Sequence, residues 1–207
     1  MSITNALQSL IFISAIEYID DIEKILNHHN VDAVILDLES LVEDKDKQKA
    51  RENLLILLRN RDLVKRVSIL LRPNPIQINE GIKDITFLRK NIEILQNVTG
   101  FVFAHVNDKV NVDQYCHSLK LENFKFNMVI LETLKGFENI SEISSNESIH
   151  AFMFGKHDLT LELKYNSEKN LNLYRKTMQE VALKYGKIAF DAPKSNKVSL
   201  RIPYVSG

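Results

Sequence analysis

The stretch AVILDLESLVEDKDKQKARENL, residues 33–54, compresses the architecture of the chain into one line. It opens on an apolar run, Ala33–Leu38, of the kind a strand needs when it is buried on both faces of a parallel sheet. The run closes on acidic residues, Asp37-Leu38-Glu39. A polar turn follows, and from Asp46 to Leu58 the apolar residues fall at helical spacing. A buried strand followed by an amphipathic helix is one β/α unit.

The same unit recurs in both directions. Candidate strands are Leu10–Ile13, Ala33–Leu38, Val67–Leu71, Gly100–Ala104, Phe126–Leu131, His150–Phe154 and Lys187–Phe190. Between them lie helical patterns at Tyr18–Asn27, Asp46–Leu58, Asn79–Leu95, Val112–Leu119, Phe137–Ile143 and Glu168–Tyr185. Tyr18–Asn27, for example, gathers Ile19, Ile22, Ile25 and Leu26 on one face. Seven such units in a row imply right-handed crossovers and a parallel sheet, and favour a TIM-type (β/α) barrel over a doubly wound open sheet. No G-x-G-x-x-G follows the first strand, which argues against a dinucleotide-binding fold. In a barrel, chemistry gathers at the C-terminal ends of the strands. The polar residues expected there are Asp37 and Glu39, Arg72, His105, Glu132, Asp158 at the end of strand six, and Asp191.

Composition sets the outer bounds. The 207 residues are 44% hydrophobic and 26% charged, ordinary for a globular chain, and no Gly/Ser- or Pro-rich linker interrupts them, so one barrel-like domain over 1–207 is expected. Lys+Arg and Asp+Glu both number 27, which gives no electrostatic reason to expect nucleic acid or an anionic membrane as partner. Cys116 is the single cysteine, so no internal disulfide can form, consistent with a reducing, cytoplasmic compartment. The N-terminal apolar run is broken by Glu17, Asp20 and Asp21 and has no basic start, so neither a signal peptide nor a span is read. No Cys/His group has zinc spacing.

Six segments, in order, resemble a known family. The 33–54 stretch resembles a strand ending in D-L-E-D that leads to a D-K-x-x-A-R helix start. LLRPNP (70–75) resembles V-R-x-N, and GFVFAHVND (100–108) resembles G-I-V-L-P-K-V-E. MVILETLKGFENISEI (128–143) resembles I-E-T-x-x-G-x-x-N-x-x-E-I, and AFMFGKHDLTLEL (151–163) resembles F-G-x-E-D-L-x-x-x-L. YRKTMQEVALKYGKIAFDAP (174–193) resembles a helix followed by G-x-x-A-x-D. Together these are similar to the citrate lyase β-subunit / HpcH-HpaI aldolase family.

The resemblance implies a TIM-type barrel that binds Mg²⁺, with Mn²⁺ as a substitute, through Glu132 and Asp158. It implies that Arg72 contacts the substrate carboxylate and the developing enolate of a small 2-oxo acid or an acyl-CoA. Asp37 and Glu39, on one side of their strand by period two, would orient Arg72 or meet waters around the ion. His105, where the family has Lys, is a candidate acid or base, with a structural histidine as the bland alternative. Lys47 and Arg51 read either as solvated charge or as contacts to a substrate anion, and His28-His29 as helix-end partners. Other departures are Ser14-Ala15 in the first turn, Ser40 after Glu39, and His157 before Asp158. The family's eighth unit exceeds what Asn196–Gly207 can supply, so the barrel is expected to be incomplete at its C-terminal end. Val198–Ile202 alternates apolar and polar residues and suits a short replacement strand ended by Pro203. The alternative cover is a second copy, hence an expected homo-oligomer with the Lys187–Gly207 end near the contact. The expected function is a Mg²⁺-dependent lyase or aldolase. The alternatives are a metabolite-binding or assembly subunit and a phosphoenolpyruvate-utilising barrel.

Overall fold

A computed structural model describes residues 7–163, 168–191, 193 and 198–202. Seven parallel strands follow one another around it: β1 (Ser9–Ser14), β2 (Ala33–Asp37), β3 (Ser68–Arg72), β4 (Gly100–Phe103), β5 (Met128–Leu131), β6 (Ala151–Phe154) and β7 (Ile188–Phe190). Each pairs with its neighbour in sequence, as right-handed β/α crossovers require. The eighth place is taken by β8 (Val198–Leu200), which runs antiparallel to β1 with Leu10 opposite Ser199. Its far end reaches β7 through a bridge between Phe190 and Arg201 and a hydrogen bond from the Ile202 N–H to the Ala189 carbonyl, 2.8 Å. The result is a nearly closed, mixed eight-stranded barrel. The Val198 end of the expected replacement strand thus fills the gap, while Pro203 lies outside the described residues.

Strand parity sorts the apolar side chains into two cores. Leu10, Phe12, Ile35, Leu70, Val102, Met128, Ile130, Met153 and Phe190 fill the barrel interior. The alternate positions, among them Ile11, Leu36, Leu71, Phe103, Leu131 and Phe154, face the helices and pack with Ile22, Leu54, Leu88 and Met178. These strand residues are almost wholly solvent-free, which is why their sequence reads as continuous apolar runs rather than as alternation.

The helices are α1 (Ile19–His28), α2 (Lys47–Arg59), α3 (Arg61–Arg66), α4 (Asn79–Lys90), α5 (Lys109–Leu119), α6 (Leu134–Glu138), α7 (Ile140–Ser144), α8 (Lys156–Leu163) and α9 (Glu168–Lys184). Two expectations change. The pattern at Asn79–Leu95 breaks at Asn91, whose backbone leaves helical space, and continues as a 3₁₀ turn at Ile92–Asn97. The pattern at Phe137–Ile143 divides at Asn139, and its first part starts earlier because Thr133 caps it, accepting from the Gly136 N–H. Two helices were not expected. Asn60 nucleates α3 by accepting from the Asp62 and Leu63 amides. The other, α8, carries Asp158 in its first turn, so Asp158 stands on a helix rather than at the end of strand six as read from sequence. The run Phe154-Gly155-Lys156-His157-Asp158 has no strong cap residue to announce a helix start.

Candidate active site

Register and parity bring the polar residues to one rim. Ser14, Asp37 and Arg72 form one row across β1, β2 and β3. Asp37 and Arg72 lie two residues beyond the interior residues Ile35 and Leu70, so they point into the mouth of the barrel. Glu132 follows Ile130 by the same parity, and one residue beyond the Leu131–Phe154 pair it meets Gly155. A Cβ on Gly155 would lie 2.2 Å from the Cβ of Glu132, so only glycine lets the start of α8 press against this carboxylate.

On the β2–β3 side every charge is matched. The Asp37 carboxylate accepts from Arg72 Nε (2.7 Å), from Arg72 Nη2, and from the Glu39 and Leu41 amides (2.8 and 2.9 Å). Arg72 also donates to Ser40 Oγ at 2.6 Å, pairs with Glu39 through Nη1 at 3.2 Å, and lies 4.8 Å from the Phe12 ring centre. Behind it, Lys47 Nζ donates to the Leu38 and Glu39 carbonyls and to Asn74 Oδ1. Fully buried Asp84 accepts from Arg51 and from both the backbone and side-chain amides of Asn74. Lys47 and Arg51 are therefore buried structural cations, neither solvated charge nor ligand contacts.

The β4–β6 side is different. Glu132 is buried, and its Oε1 accepts one hydrogen bond, 2.6 Å, from the backbone N–H of His105. His105 adopts a left-handed backbone (φ 51°), and its Nδ1 lies 3.7 Å from the same oxygen. Burial, then the neighbouring charges of Asp158 and Glu39, push the Glu132 carboxyl up to about 8, against the pull of the His105 amide and Arg72. One ligand atom each from His105, Glu132 and Asp158 lie within 4.8 Å of one another. Two carboxylates at the cavity wall with an imidazole beside them are a donor set of the kind that holds a divalent cation.

The cavity is about 640 Å³ in volume. Phe12, Leu41, Ile130, Met153 and Phe154 form its apolar wall, and Arg72, Glu132 and Asp158 its polar one. His157 lies at its edge, exposed. Asp191 is held apart by a fork–fork pair with Arg175, at 3.1 and 2.7 Å. His28, exposed, and His29, half-buried, stack edge-to-face at the end of α1, away from the rim. Sequence reading missed Asn74 and Asp84. Asn74 is the last letter of the V-R-x-N resemblance and gave a usable signal, whereas Asp84 sits among ordinary helix residues and gave none.

Comparison with known proteins agrees with this architecture. A model of the HpcH/HpaI aldolase/citrate lyase family matches residues 8–192. No curated protein matches the chain. Among solved structures, RipC from Yersinia pestis is similar in fold, with a TM-score of 0.73 at 21% identity over 93% of this chain and 78% of that one. The citrate lyase β subunit from Mycobacterium tuberculosis gives 0.68 at 21% identity, over 92% of this chain and 80% of that one. The protein CitE from the same organism, in complex with magnesium and acetoacetate, gives 0.68 at 20% identity over 92% and 75%. With the family model spanning every strand from β1 to β7, the chain belongs to the HpcH/HpaI aldolase/citrate lyase family.

Proposed function

We propose that the chain is a Mg²⁺-dependent carbon–carbon lyase or aldolase, with Mn²⁺ as a substitute. Its substrate is a small 2-oxo acid or a 3-hydroxyacyl compound, free or as a CoA thioester, and the reaction passes through an enolate. The observation that carries this reading is Glu132: a buried carboxylate with no Lys or Arg ion pair among the described residues, beside Asp158, at the wall of a cavity of substrate size. Such a carboxylate is costly unless something positive completes it.

Glu132 and Asp158 would hold the ion, which when bound supplies Lewis acidity at the substrate's carbonyl oxygen. Arg72, locked in orientation by Asp37, offers its cavity side to the substrate carboxylate. Glu39 and Asp37 act on the substrate only through Arg72. Phe12, Ile130 and Met153 keep water from the reacting carbons. His105, the candidate acid or base, does not line the cavity.

The second reading, a metabolite-binding or assembly subunit, is favoured by one observation. Asp37 already occupies the Nε/Nη2 edge of Arg72, the edge best suited to a bidentate carboxylate. Pyruvate in D₂O with Mg²⁺ separates the two. Deuterium entering the methyl group, lost in Glu132→Gln and Asp158→Asn, is expected of the lyase. Binding without exchange identifies the binding subunit, and metal-independent exchange overturns the metal reading.

The same proposal includes a reducing cytoplasm, supported by the single Cys116. It also includes a homo-oligomer, supported by Leu161, Leu173 and Leu183, which α8 and α9 leave more than half exposed. A monomer by light scattering at micromolar concentration overturns the oligomer. Among the described residues no helix is long and apolar enough to cross a membrane.

A further inference from the structure

His105 stands out from the rest of the rim. Its backbone is left-handed, a conformation that costs a non-glycine residue energy. That conformation does two things together. It aims the backbone N–H at Glu132 Oε1, 2.6 Å away, and it leaves the ring on the same side, with Nδ1 3.7 Å from that oxygen. Among the described residues the ring makes no hydrogen bond of its own. It does not face the substrate cavity, whose wall here is Glu132 and Asp158. The imidazole is therefore poorly placed to exchange protons with a substrate and well placed to share whatever those carboxylates hold.

The spacing supports that role. Ligand atoms around an ion with bonds of about 2.1 Å lie at most about 4.2 Å apart. The ligand atoms of His105, Glu132 and Asp158 lie within 4.8 Å, so a few tenths of an ångström of side-chain rotation closes the set, roughly a rotamer adjustment. The three come from the ends of β4 and β5 and the first turn of α8, three consecutive units of one rim. Two carboxylates and a neutral imidazole leave coordination positions free for water or substrate, as in catalytic rather than structural centres. Mg²⁺ prefers oxygen donors and keeps its waters, so an imidazole adds little to its binding. Mn²⁺ also takes carboxylate and water ligands, and its magnetic signal reports a nitrogen donor, so it is the probe for His105.

We propose that His105 is a third protein ligand at this centre, beside Glu132 and Asp158. The proposal rests on the reading of Glu132 and Asp158 as metal ligands. The test titrates the metal-free full chain with Mn²⁺, alone and in competition with Mg²⁺, by electron paramagnetic resonance. The expected result is Mn²⁺ bound in competition with Mg²⁺, with a nitrogen coupling in the pulsed spectrum. His105→Gly, which accepts φ 51° without strain, should remove the coupling and weaken Mn²⁺ by about tenfold. His105→Asn, which also tolerates that backbone, guards against a folding artefact. Mn²⁺ bound through Glu132 and Asp158 with no nitrogen coupling, and with unchanged affinity in both variants, would overturn the role of His105 and leave the two-carboxylate site standing. No binding of either ion at millimolar concentration would overturn the site itself, and this proposal with it.

Discussion

The two sides of the barrel mouth are built from similar residues and behave in opposite ways. On the β2–β3 side, Asp37, Glu39 and Asp84 are each matched by Arg72, Arg51 or backbone donors, with Lys47 holding the carbonyls between them. On the β4–β6 side, Glu132 and Asp158 share a corner with one backbone N–H and an imidazole. Burial is similar, since Asp37 and Glu132 both lie below a tenth exposed. What differs is compensation. A buried carboxylate with its full complement of donors is part of the scaffold, and one without is where the proposed cation would bind.

That contrast is best attacked from its strongest point. Asp84→Ala should destabilise the chain by about 3–5 kcal/mol in denaturant unfolding, because it strands Arg51 and the Asn74 amide in the interior. A loss below about 1 kcal/mol would mean the network is less rigid than its geometry. Glu132→Gln should do the reverse. The Glu132 carboxyl is held near 8 in the fold, above its unfolded value, so its contribution is fully present below the unfolded value and is lost as pH rises through about 8. Without metal, wild type should therefore lose stability between pH 5 and 9 (about those limits), on the order of 2–3 kcal/mol. Glu132→Gln should flatten that slope and abolish stabilisation by metal; an unchanged slope would show that Glu132 is not the group whose titration sets it.

Gly155→Ala should cost about 1–3 kcal/mol, since the new Cβ collides with Glu132, and should weaken metal binding more than a remote overpacking change would. Equal binding in the variant would free Glu132 from its dependence on α8. The smallest effect belongs to Asp158→Asn. Asp158 is half-buried, and metal-free stability should change by less than about 1 kcal/mol, while the rise in Tm on adding Mg²⁺ disappears. A large metal-free loss would place Asp158 in the scaffold instead.

Much of this was legible in residue order. The seven apolar runs matched the seven parallel strands to within two residues at each end, because strands buried on both faces leave an unbroken apolar signature. The alternation at Val198–Ile202 foretold a closing strand. Helix ends were harder: Asn139 and Asn91 break patterns that periodicity alone runs through. The position of Asp158 on α8 also escaped, since Gly155 works by close approach to Glu132, which is a tertiary fact.

The sequence by itself determined the alternation of units, the polar residues at strand ends, and their ordered likeness to one family, because periodicity and motif are local properties of a chain. Tertiary structure alone decided which of those polar residues are compensated. Asp84 reaches Arg51 across 33 residues of chain, Arg72 reaches Asp37 across 35, and Glu132 receives the His105 amide across 27. Charge balance at a buried site depends on distances between side chains brought together by strand register, and no one-dimensional pattern records those distances.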